Sequence, residues 1–320
     1  MEIRSLDGDD PATISALLPG FRATMSLELP DDPPVSEQLL ARLFQRRHGA
    51  DRVLLAAYDR GEPAGCVKLG LDLGDPAGPG HGSLWVFPAF RRRGAGTALA
   101  DRARAELRSR GRSLLLVDAP AGAASRAFAD VLGAECTATT LRSRLRPAGP
   151  DRAALAEAAG RPVPGYRLVR WTGRCPDPLV AGYARAWAAL DAPVNGQARL
   201  SAPGVADVRA REAEAERAGH RLHAAAAVTE QDGELVGYST LFVRDSPMAD
   251  AGETLVLPGH RRRGLASWLK AGLLLDAAAR EPRLALVQVF NDVGNEAVVA
   301  LNRRLGFTTD STWATYALKA

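Results

Sequence analysis

Two stretches of the chain place arginines and glycines where a phosphate group could bind. The first is VFPAFRRRGAGTALA (residues 86–100) and the second is LPGHRRRGLASWLK (residues 257–270). In each, an apolar, strand-like run precedes three arginines, a glycine and a helix-forming run. Glycine lets the backbone approach a ligand closely, and the first amides of a helix are unpaired and lie at the positive end of its dipole. Each junction therefore predicts a cradle for phosphate oxygens.

The spacing at both junctions is Arg-x-x-Gly-x-Gly/Ala. It is carried by Arg91, Gly94 and Gly96 in the first half and by Arg261, Gly264 and Ala266 in the second. It is neither the GxxxxGK[ST] of a Walker loop nor the full GxGxxG of a dinucleotide fold. One copy of so short a motif is equally well explained as a solvated basic surface, whereas two copies in matching context favour phosphate binding.

The elements around the two junctions repeat in the same order. Each half has a β-hairpin, a glycine-rich or polar break, a strand, the arginine junction, a helix and a nearly all-apolar strand. The first-half segments are 52–59, 64–73, 83–88, a helix to about 110 and 113–120; the second-half segments are 222–230, 235–243, 253–258, a helix to about 280 and 283–290. Arg91 and Arg261 lie 170 positions apart, which predicts a tandem duplication of one domain rather than a solenoid.

The length of 320 residues suits two domains, each with its own core. Proline and glycine residues after residue 146 predict a linker, so we place the boundary near Pro150 and expect domains at 1–150 and 151–320. Residues 166–171 (YRLVRW) predict the first strand of the second copy. Segments 177–190 and 206–219 predict helices, with a turn at 191–196 near a binding surface.

On these motifs the chain resembles the GCN5-related N-acetyltransferases (GNAT), whose signature is Gln/Arg-x-x-Gly-x-Gly/Ala after a strand ending in Val-x-Pro. The resemblance covers nearly the whole chain and is strongest to tandem members from actinobacteria. It implies an α/β fold of two tandem domains, each a mostly antiparallel mixed sheet flanked by helices. Strands 4 and 5 of each sheet would splay apart, and acetyl-CoA or another acyl-CoA would lie in the wedge.

The resemblance also implies which residues hold the cofactor. The pyrophosphate would bind amides 92–96 or 262–266, and the pantetheine arm would pair with strand-4 residues 84–87 or 254–257. Arginines would meet the remaining phosphates. The implied cofactor-binding residues are Val256, Leu257, Arg262, Arg263, Gly264, Leu265, Ala266, Ser267, Asn291 and Asn295 in the second half, and Val86, Arg91, Arg92, Arg93, Gly94, Ala95, Gly96 and Thr97 in the first.

The second half carries more of the family's features. Asn291 and Asn295 match its asparagine-rich element before LGF, one of them expected to cap the helix and the other to contact the cofactor. Many family members use a tyrosine four residues before the LGF glycine to protonate the thiolate, but here Asn302 and Ala129 stand at that position. Because residues 119–135 lack both asparagines, we expect a catalytic C-terminal domain. The N-terminal domain would be degenerate, a scaffold or a second cofactor binder.

Glu253 is the candidate catalytic base, since an amine with a pKa near 10 arrives protonated and must lose a proton before it attacks a thioester. A solvent-facing strand end is an equal alternative for Glu253. The first half has Ser83 in this region. Backbone amides near Val256 and Leu257 would stabilise the oxyanion. The candidate acceptor-pocket residues are Tyr183, Trp187 and Tyr238, for which a core position is the alternative.

Composition excludes several classes of protein. Hydrophobic residues make up 46% and charged residues 24%, as in a soluble globular protein. The formal charge of +4 suits phosphate-bearing ligands without requiring nucleic acid. Three widely spaced cysteines predict neither a disulfide framework nor a metal site. An acidic N-terminus and the absence of a long apolar run predict a cytoplasmic protein without a membrane span.

Two rival functions follow from the same residues. Both cradles could bind acyl-CoA for sensing without turnover, which the missing tyrosines favour and Glu253 opposes. Nucleic-acid binding through the arginine loops is disfavoured by interspersed acids such as REAEAERAG. The acceptor remains open among small amines, amino acids, aminoglycoside-like antibiotics, biosynthetic intermediates and a protein N-terminus; we prefer a small molecule, which two adjacent domains would tend to enclose.

Overall fold

The computed structural model describes residues 1–45, 50–189, 203–217 and 219–320. They divide into two compact units: Met1–Thr140 with Ser311–Ala320, the N-terminal unit, and Leu141–Asp310, the C-terminal unit. The turn expected at 191–196 lies outside the described residues. Among the described residues, no helix has the length and apolar character needed to cross a bilayer.

The N-terminal half contains six strands and four helices among the described residues. The strands are β1 (Glu2–Leu6), β2 (Ala50–Asp59), β3 (Glu62–Asp72), β4 (Gly80–Val86), β5 (Leu114–Pro120) and β6 (Glu135–Leu145). The helices are α1 (Pro11–Glu28), α2 (Glu37–Phe44), α3 (Ala95–Ser109) and α4 (Ala123–Leu132). The hairpin, strand, helix and strand predicted around the first arginine junction are β2 to β5 with α3.

The second half repeats this order after one additional helix. The strands are β7 (Tyr166–Thr172), β8 (Arg221–Thr229), β9 (Leu235–Val243), β10 (Met248–Val256), β11 (Leu286–Asp292) and β12 (Thr308–Lys319). The helices are α5 (Arg152–Ala159), α6 (Asp177–Ala188), α7 (Val205–Arg217), α8 (Leu265–Arg280) and α9 (Glu296–Arg304). β8 and β9 are buried on both faces, which explains why their sequences are mostly apolar and do not alternate.

Both sheets are mixed and mostly antiparallel, as predicted. In the N-terminal unit, β1 to β4 pair antiparallel in chain order and β4 pairs parallel with β5. In the C-terminal unit, β7 to β10 pair in the same way and β10 pairs parallel with β11. Helices cover both faces of each sheet. In the C-terminal unit α8 packs over one core and α6 and α7 over the other.

The parallel pair of each unit separates after three residues. β10 and β11 pair only from Met248–Leu286 to Asp250–Gln288, although both strands continue. β4 and β5 pair only from Gly80–Leu115 to Gly82–Val117. A wedge therefore opens between strands 4 and 5 of each sheet, as the resemblance implied.

The last strand of each half does not stay within one unit. Residues Ser311–Ala320, which include β12 from Ser311 onward, belong to the N-terminal unit, where Trp313–Lys319 pairs antiparallel with β5. Residues 141–145 of β6 belong to the C-terminal unit, in which β6 neighbours β11. The change of unit thus falls at residues 140/141 and 310/311. The boundary near Pro150 remains a prediction about where the sequence repeat ends.

Candidate active site

The two arginine junctions have the same unusual backbone. Arg262 and Gly264 adopt positive φ of 66° and 87°, and Arg92 and Gly94 adopt 61° and 86°. Left-handed geometry at a non-glycine residue is uncommon and costs about 1–3 kcal/mol unless the surroundings impose it. The same strain at both junctions indicates a selected conformation.

This backbone leaves a row of peptide N–H groups without acceptors. Within the described part of the chain, none of the amides of residues 262–267 or 92–97 donates a hydrogen bond, and neither helix has a side-chain cap. A Cβ added at Gly264 or Gly94 would meet nothing within 4 Å, so the approach to these amides is open. Unpaired amides at a helix N-terminus fit a phosphate group.

The first arginine of each triplet supports the loop. Arg261 Nε donates to the Val256 carbonyl oxygen over 2.9 Å, and Arg91 Nε donates to the Val86 oxygen over 3.2 Å. Arg91 also pairs with Glu28 at 2.8 Å. A phosphate group would therefore compete with two protein partners for Arg91. At both junctions, the hydrogen bond from the arginine to strand 4 fixes the direction in which the chain leaves the sheet.

A cavity of about 730 Å³ lies over the second junction. It is bounded by the end of β10, the arginine loop, the first turn of α8 and one face of α9. Its lining residues are Thr254, Leu255, Val256, His260, Arg261, Arg262, Gly264, Leu265, Ala266, Ser267, Asn295, Ala297, Val298, Ala300, Leu301 and Arg304.

Most of the predicted cofactor residues of the second half line this cavity. Leu257, Arg263 and Asn291 are the exceptions. Two of its polar lining residues, His260 and Arg304, were not predicted. Nothing in the sequence marks His260 as a site residue except its place in the junction. Its Nδ1 lies 2.8 Å from the Tyr166 hydroxyl, and this contact between distant residues is created by the fold.

Hydrogen bonding corrects one part of the oxyanion prediction. The Leu257 amide donates to the Val236 carbonyl oxygen over 2.9 Å, so it is already used within the sheet. Because successive amides of a strand point to opposite edges, the Val256 amide faces the edge that β11 has left. Val256, and not Leu257, therefore presents its N–H to the wedge.

Glu253 is a partly buried carboxylate with protein partners, not a solvent-facing strand end. Arg211 Nη2 lies 3.0 and 2.7 Å from its two oxygens, and the Thr240 hydroxyl donates to Oε2 over 2.8 Å. Burial alone would raise the pKa of Glu253, but Arg211 and the hydrogen bonds outweigh burial and hold it below the ordinary value. The charged α7 sequence did not predict that one of its arginines is enclosed.

The two predicted asparagines differ in role. Asn295 is the N-cap of α9, its side chain accepting from the Val298 amide, and it also lines the cavity. Asn291 lies on β11 rather than in a helix and accepts a hydrogen bond from Asn302 Nδ2 over 2.7 Å. Asn302, at the family's tyrosine position, in turn accepts from Lys270 Nζ over 2.7 Å.

The aromatic candidates belong mainly to the core. Tyr183 and Tyr238 are fully buried and pack edge to face at 4.7 Å. Burial raises the pKa of Tyr183. Trp187 is half-buried and holds the Arg211 guanidinium 4.9 Å from its ring. Direct contact with the acceptor stays a prediction for all three. Trp187 lies nearest to the candidate base, because Arg211, which it contacts, binds Glu253.

The first junction lacks several of these features. The Phe128 ring of α4 lies against Gly96, 2.8 Å from the position a Cβ would take. Ser83 replaces the partly buried carboxylate, and Ala129 replaces Asn302. Arg93 forms a long ion pair with Asp59 at 3.6 Å. Each unit thus has its own cradle, whereas the polar side chains of Glu253 and Asn302 are found in the C-terminal unit.

Comparisons with known proteins agree with this geometry. The Acetyltransferase (GNAT) family profile matches residues 21–134 and 196–307. A mycothiol acetyltransferase from Salinispora tropica is 32% identical over 294 residues, covering 89% of this chain and 87% of that protein.

Solved structures of low sequence identity share the fold. A tandem GNAT protein from the clavulanic acid biosynthesis pathway superposes with a TM-score of 0.82 at 24% identity, covering 99% of this chain and 98% of that one. A GCN5-related N-acetyltransferase from Sphaerobacter thermophilus gives 0.73 at 16% identity, covering 99% and 95%. With its two matched regions, two wedges and two glycine cradles, this chain belongs to the GNAT family of acetyltransferases, as a tandem member.

Proposed function

We propose that the C-terminal unit transfers an acetyl group from acetyl-CoA to the primary amine of a small molecule by direct attack of the amine on the thioester. One observation carries this proposal: the open amide cradle, the wedge and the partly buried carboxylate of Glu253 occur together in that unit. GNAT acetyltransferases generally use acetyl-CoA as acetyl donor.

The residues of the C-terminal unit fit such a cofactor. The free amides of residues 262–267 suit a pyrophosphate, and the guanidinium groups of Arg262 and Arg304 line the same cavity. Val256 presents its amide to the wedge, where it suits either the pantetheine arm or the oxygen of the reacting carbonyl. When bound, the cofactor would supply an activated acetyl group as a thioester.

Glu253 serves in this proposal as the proton acceptor for the arriving ammonium group. Its low pKa keeps it ionised at neutral pH, which favours attraction of a cation. The lowered pKa makes it a weaker base than an ordinary carboxylate, so we propose that the proton reaches it through a water molecule. Arg211 and Thr240 keep the carboxylate in place.

A small-molecule acceptor is supported by the relative from Salinispora tropica, which is a mycothiol acetyltransferase. We propose the acceptor of that enzyme as the first candidate for this chain, together with other small amines. The N-terminal unit is proposed as a degenerate copy, since it has Ser83 and Ala129 at the matching positions.

The test is acetyl-CoA consumption against an amine panel that includes the acceptor of mycothiol acetyltransferase. Glu253→Gln should lower kcat by about a hundredfold or more, the usual size of a general-base contribution, with acetyl-CoA binding retained. Ser83→Ala, the matched change in the N-terminal unit, should leave turnover unchanged.

Gly264→Glu and Gly94→Glu form a second matched pair, because both positions have the same φ and open surroundings. Gly264→Glu should remove tight acetyl-CoA binding and turnover together, whereas Gly94→Glu should spare turnover. Equal loss from both changes would contradict the assignment to the C-terminal unit. Cofactor binding without transfer to any amine would favour a sensing role instead.

A further inference from the structure

Lys270 is a buried lysine with no anionic partner among the described residues. It lies in the middle of α8 with 2% of its surface exposed. Its ammonium donates to Asn302 Oδ1 over 2.7 Å and lies 4.9 Å from the centre of the Phe307 ring. Burying an ammonium group without a countercharge is unfavourable, so the site needs an explanation beyond packing.

The two partners of the Lys270 ammonium, the Asn302 amide and the Phe307 ring, are uncharged. Burial lowers the pKa of Lys270 to about 7, and no charged group contributes to this shift. Helix α5 and strands β7 to β10 pack against α8, and α9 contacts it through Asn302. The charged groups of these elements, among them Glu157, Arg170 and Arg304, do not contribute to this pKa, and neither does Asp276 on α8 itself. The groups that face Nζ are the Asn302 amide and the Phe307 ring.

The lysine fixes the orientation of the Asn302 side chain. A protonated lysine only donates, so it must meet the oxygen of the amide and leave Nδ2 on the other side. One N–H of Nδ2 then donates to Asn291 Oδ1 over 2.7 Å. The second N–H has no acceptor among the described residues and is polarised by the cation bound to the oxygen of the same amide.

These residues lie one helical turn beyond the cavity wall. Ala266 and Val298 line the cavity, and Lys270 and Asn302 follow them by four residues on the same faces of α8 and α9. Asn291 is three residues past Gln288, the last β11 residue paired with β10. The network therefore adjoins the inner end of the wedge, on the face of the sheet that α8 covers.

The N-terminal unit provides an internal comparison. Counted from the junction glycine, Ala100 stands where the second half has Lys270, and counted from the glycine after the last helix, Ala129 stands where it has Asn302. Both alanines are buried. The helix pair thus packs without any polar group at these positions, so Lys270 and Asn302 are not needed to form this fold.

We propose that Asn302, made a stronger donor by Lys270, stabilises the negative charge that develops on the leaving sulfur of coenzyme A. This inference rests on the proposed function. The amine nitrogen bonds to the acyl carbon as the carbon–sulfur bond breaks, the electron pair of that bond passes to sulfur, and the ammonium proton goes to Glu253 through a water molecule. Lys270 acts through Asn302 and is a positioning residue. The transient thiolate supplies the countercharge that the buried ammonium lacks.

A lysine titration tests the proposal without turnover, because the chain has only three lysines, Lys68, Lys270 and Lys319. Protein carrying isotope-labelled lysine is titrated by NMR alone, with coenzyme A and with desulfo-coenzyme A. Thiolate and ammonium stabilise each other reciprocally, so we expect the pKa of Lys270 to be about one unit or more higher with coenzyme A than with the sulfur-free analogue. Equal values with the two ligands would overturn the inference.

Lys68→Arg and Lys319→Arg identify the resonances of the other two lysines and so leave that of Lys270 assigned, and Lys270→Met gives the kinetic test. It should lower kcat by about tenfold or more while the KM for acetyl-CoA changes less than about twofold. Asp276→Asn, on the exposed side of α8, is the matched control and should change neither. Equal weakening of both ligands by Lys270→Met would indicate a structural role and overturn the inference.

The wild-type titration decides the matter even where Lys270→Met does not fold. Failure of the proposed function has a different signature: either neither ligand binds, or acetyl-CoA binds and no amine of the panel is acetylated, and in both cases both proposals fall. Acetylation of an amine, together with a higher Lys270 pKa with coenzyme A than with the sulfur-free analogue, supports both.

Discussion

At the scale of single residues, two cations of the C-terminal unit, the partly buried Arg211 and the fully buried Lys270, differ in how their charge is balanced. Arg211 is paired with Glu253, and the pKa values of both groups shift toward the charged forms. Lys270 has only a neutral amide and a ring as partners, and its pKa falls. A buried pair keeps its charges at neutral pH, whereas an isolated buried ammonium is poised to gain or lose its proton.

The pairing predicts a pH effect of Arg211→Met. Without the guanidinium, burial of Glu253 is unopposed, so its pKa should rise and the acid limb of the kcat/KM profile should move up by about one unit or more. As the pH falls, the variant would therefore lose the activity that depends on ionised Glu253 at a higher pH than the wild type does. Rate profiles of wild type, Arg211→Met and the exposed control Arg217→Met measure this. An unmoved acid limb in Arg211→Met would show that Glu253 does not set it.

At the scale of elements, the cradle is a strand-to-helix junction held in a strained shape. The bond from Arg261 Nε to the strand-4 carbonyl and the positive φ of Arg262 turn the following amides outward. The same two features recur at Arg91 and Arg92. A conformation that costs energy and is present twice indicates that exposing the amides, not stabilising the helix, is its purpose.

This strain predicts opposite effects of two substitutions at Arg262. Glycine accepts positive φ without penalty, so Arg262→Gly should leave the free energy of unfolding unchanged or raise it by up to about 1 kcal/mol. A β-branched residue fits this region poorly, so Arg262→Val should lower it by about 1–2 kcal/mol. Chemical denaturation compares them, with Arg92→Gly and Arg92→Val as the matched pair. Equal stability of the Gly and Val variants would show that the loop relaxes.

At the scale of the whole molecule, the chain end completes the sheet of the first unit. Trp313–Lys319 of β12 pairs with β5, so the N-terminal unit includes residues more than 300 positions after its first strand. Pairings of such long sequence separation are slow to form and leave apolar strand edges exposed until they do.

Removal of residues 311–320 should therefore damage the N-terminal unit first. Hydrogen exchange should show the amides of β5 losing protection by about tenfold or more, because their antiparallel partner is gone. The amides of β8 and β9 serve as the internal reference and should keep theirs. Uniform loss across both units would contradict this assignment of the strand.

Much of the site could be predicted from local patterns. Local sequence determines the glycine positions, the arginine triplets and the alternation of strands and helices. Each of these features depends on the backbone conformation that nearby residues favour. The wedge required the family resemblance, because nothing in the sequence of β10 says where its pairing with β11 stops. The surroundings of Glu253 were predicted least well, because its partner Arg211 lies in a charged helix whose sequence pattern indicates exposure to solvent.

The amino-acid sequence by itself determined the duplication, the order of elements and the two glycine junctions, since these depend on periodicity and on residues with special backbone freedom. Only the tertiary structure decided that Glu253 is paired, that Asn295 caps α9 while Asn291 joins Asn302 and Lys270, and that the final strand completes the first unit. The physical reason is that charge pairing and burial depend on which distant elements meet. Lys270 stood out in the sequence as the lysine interrupting an apolar helix, but its partners lie about 30 residues away and were brought to it by packing.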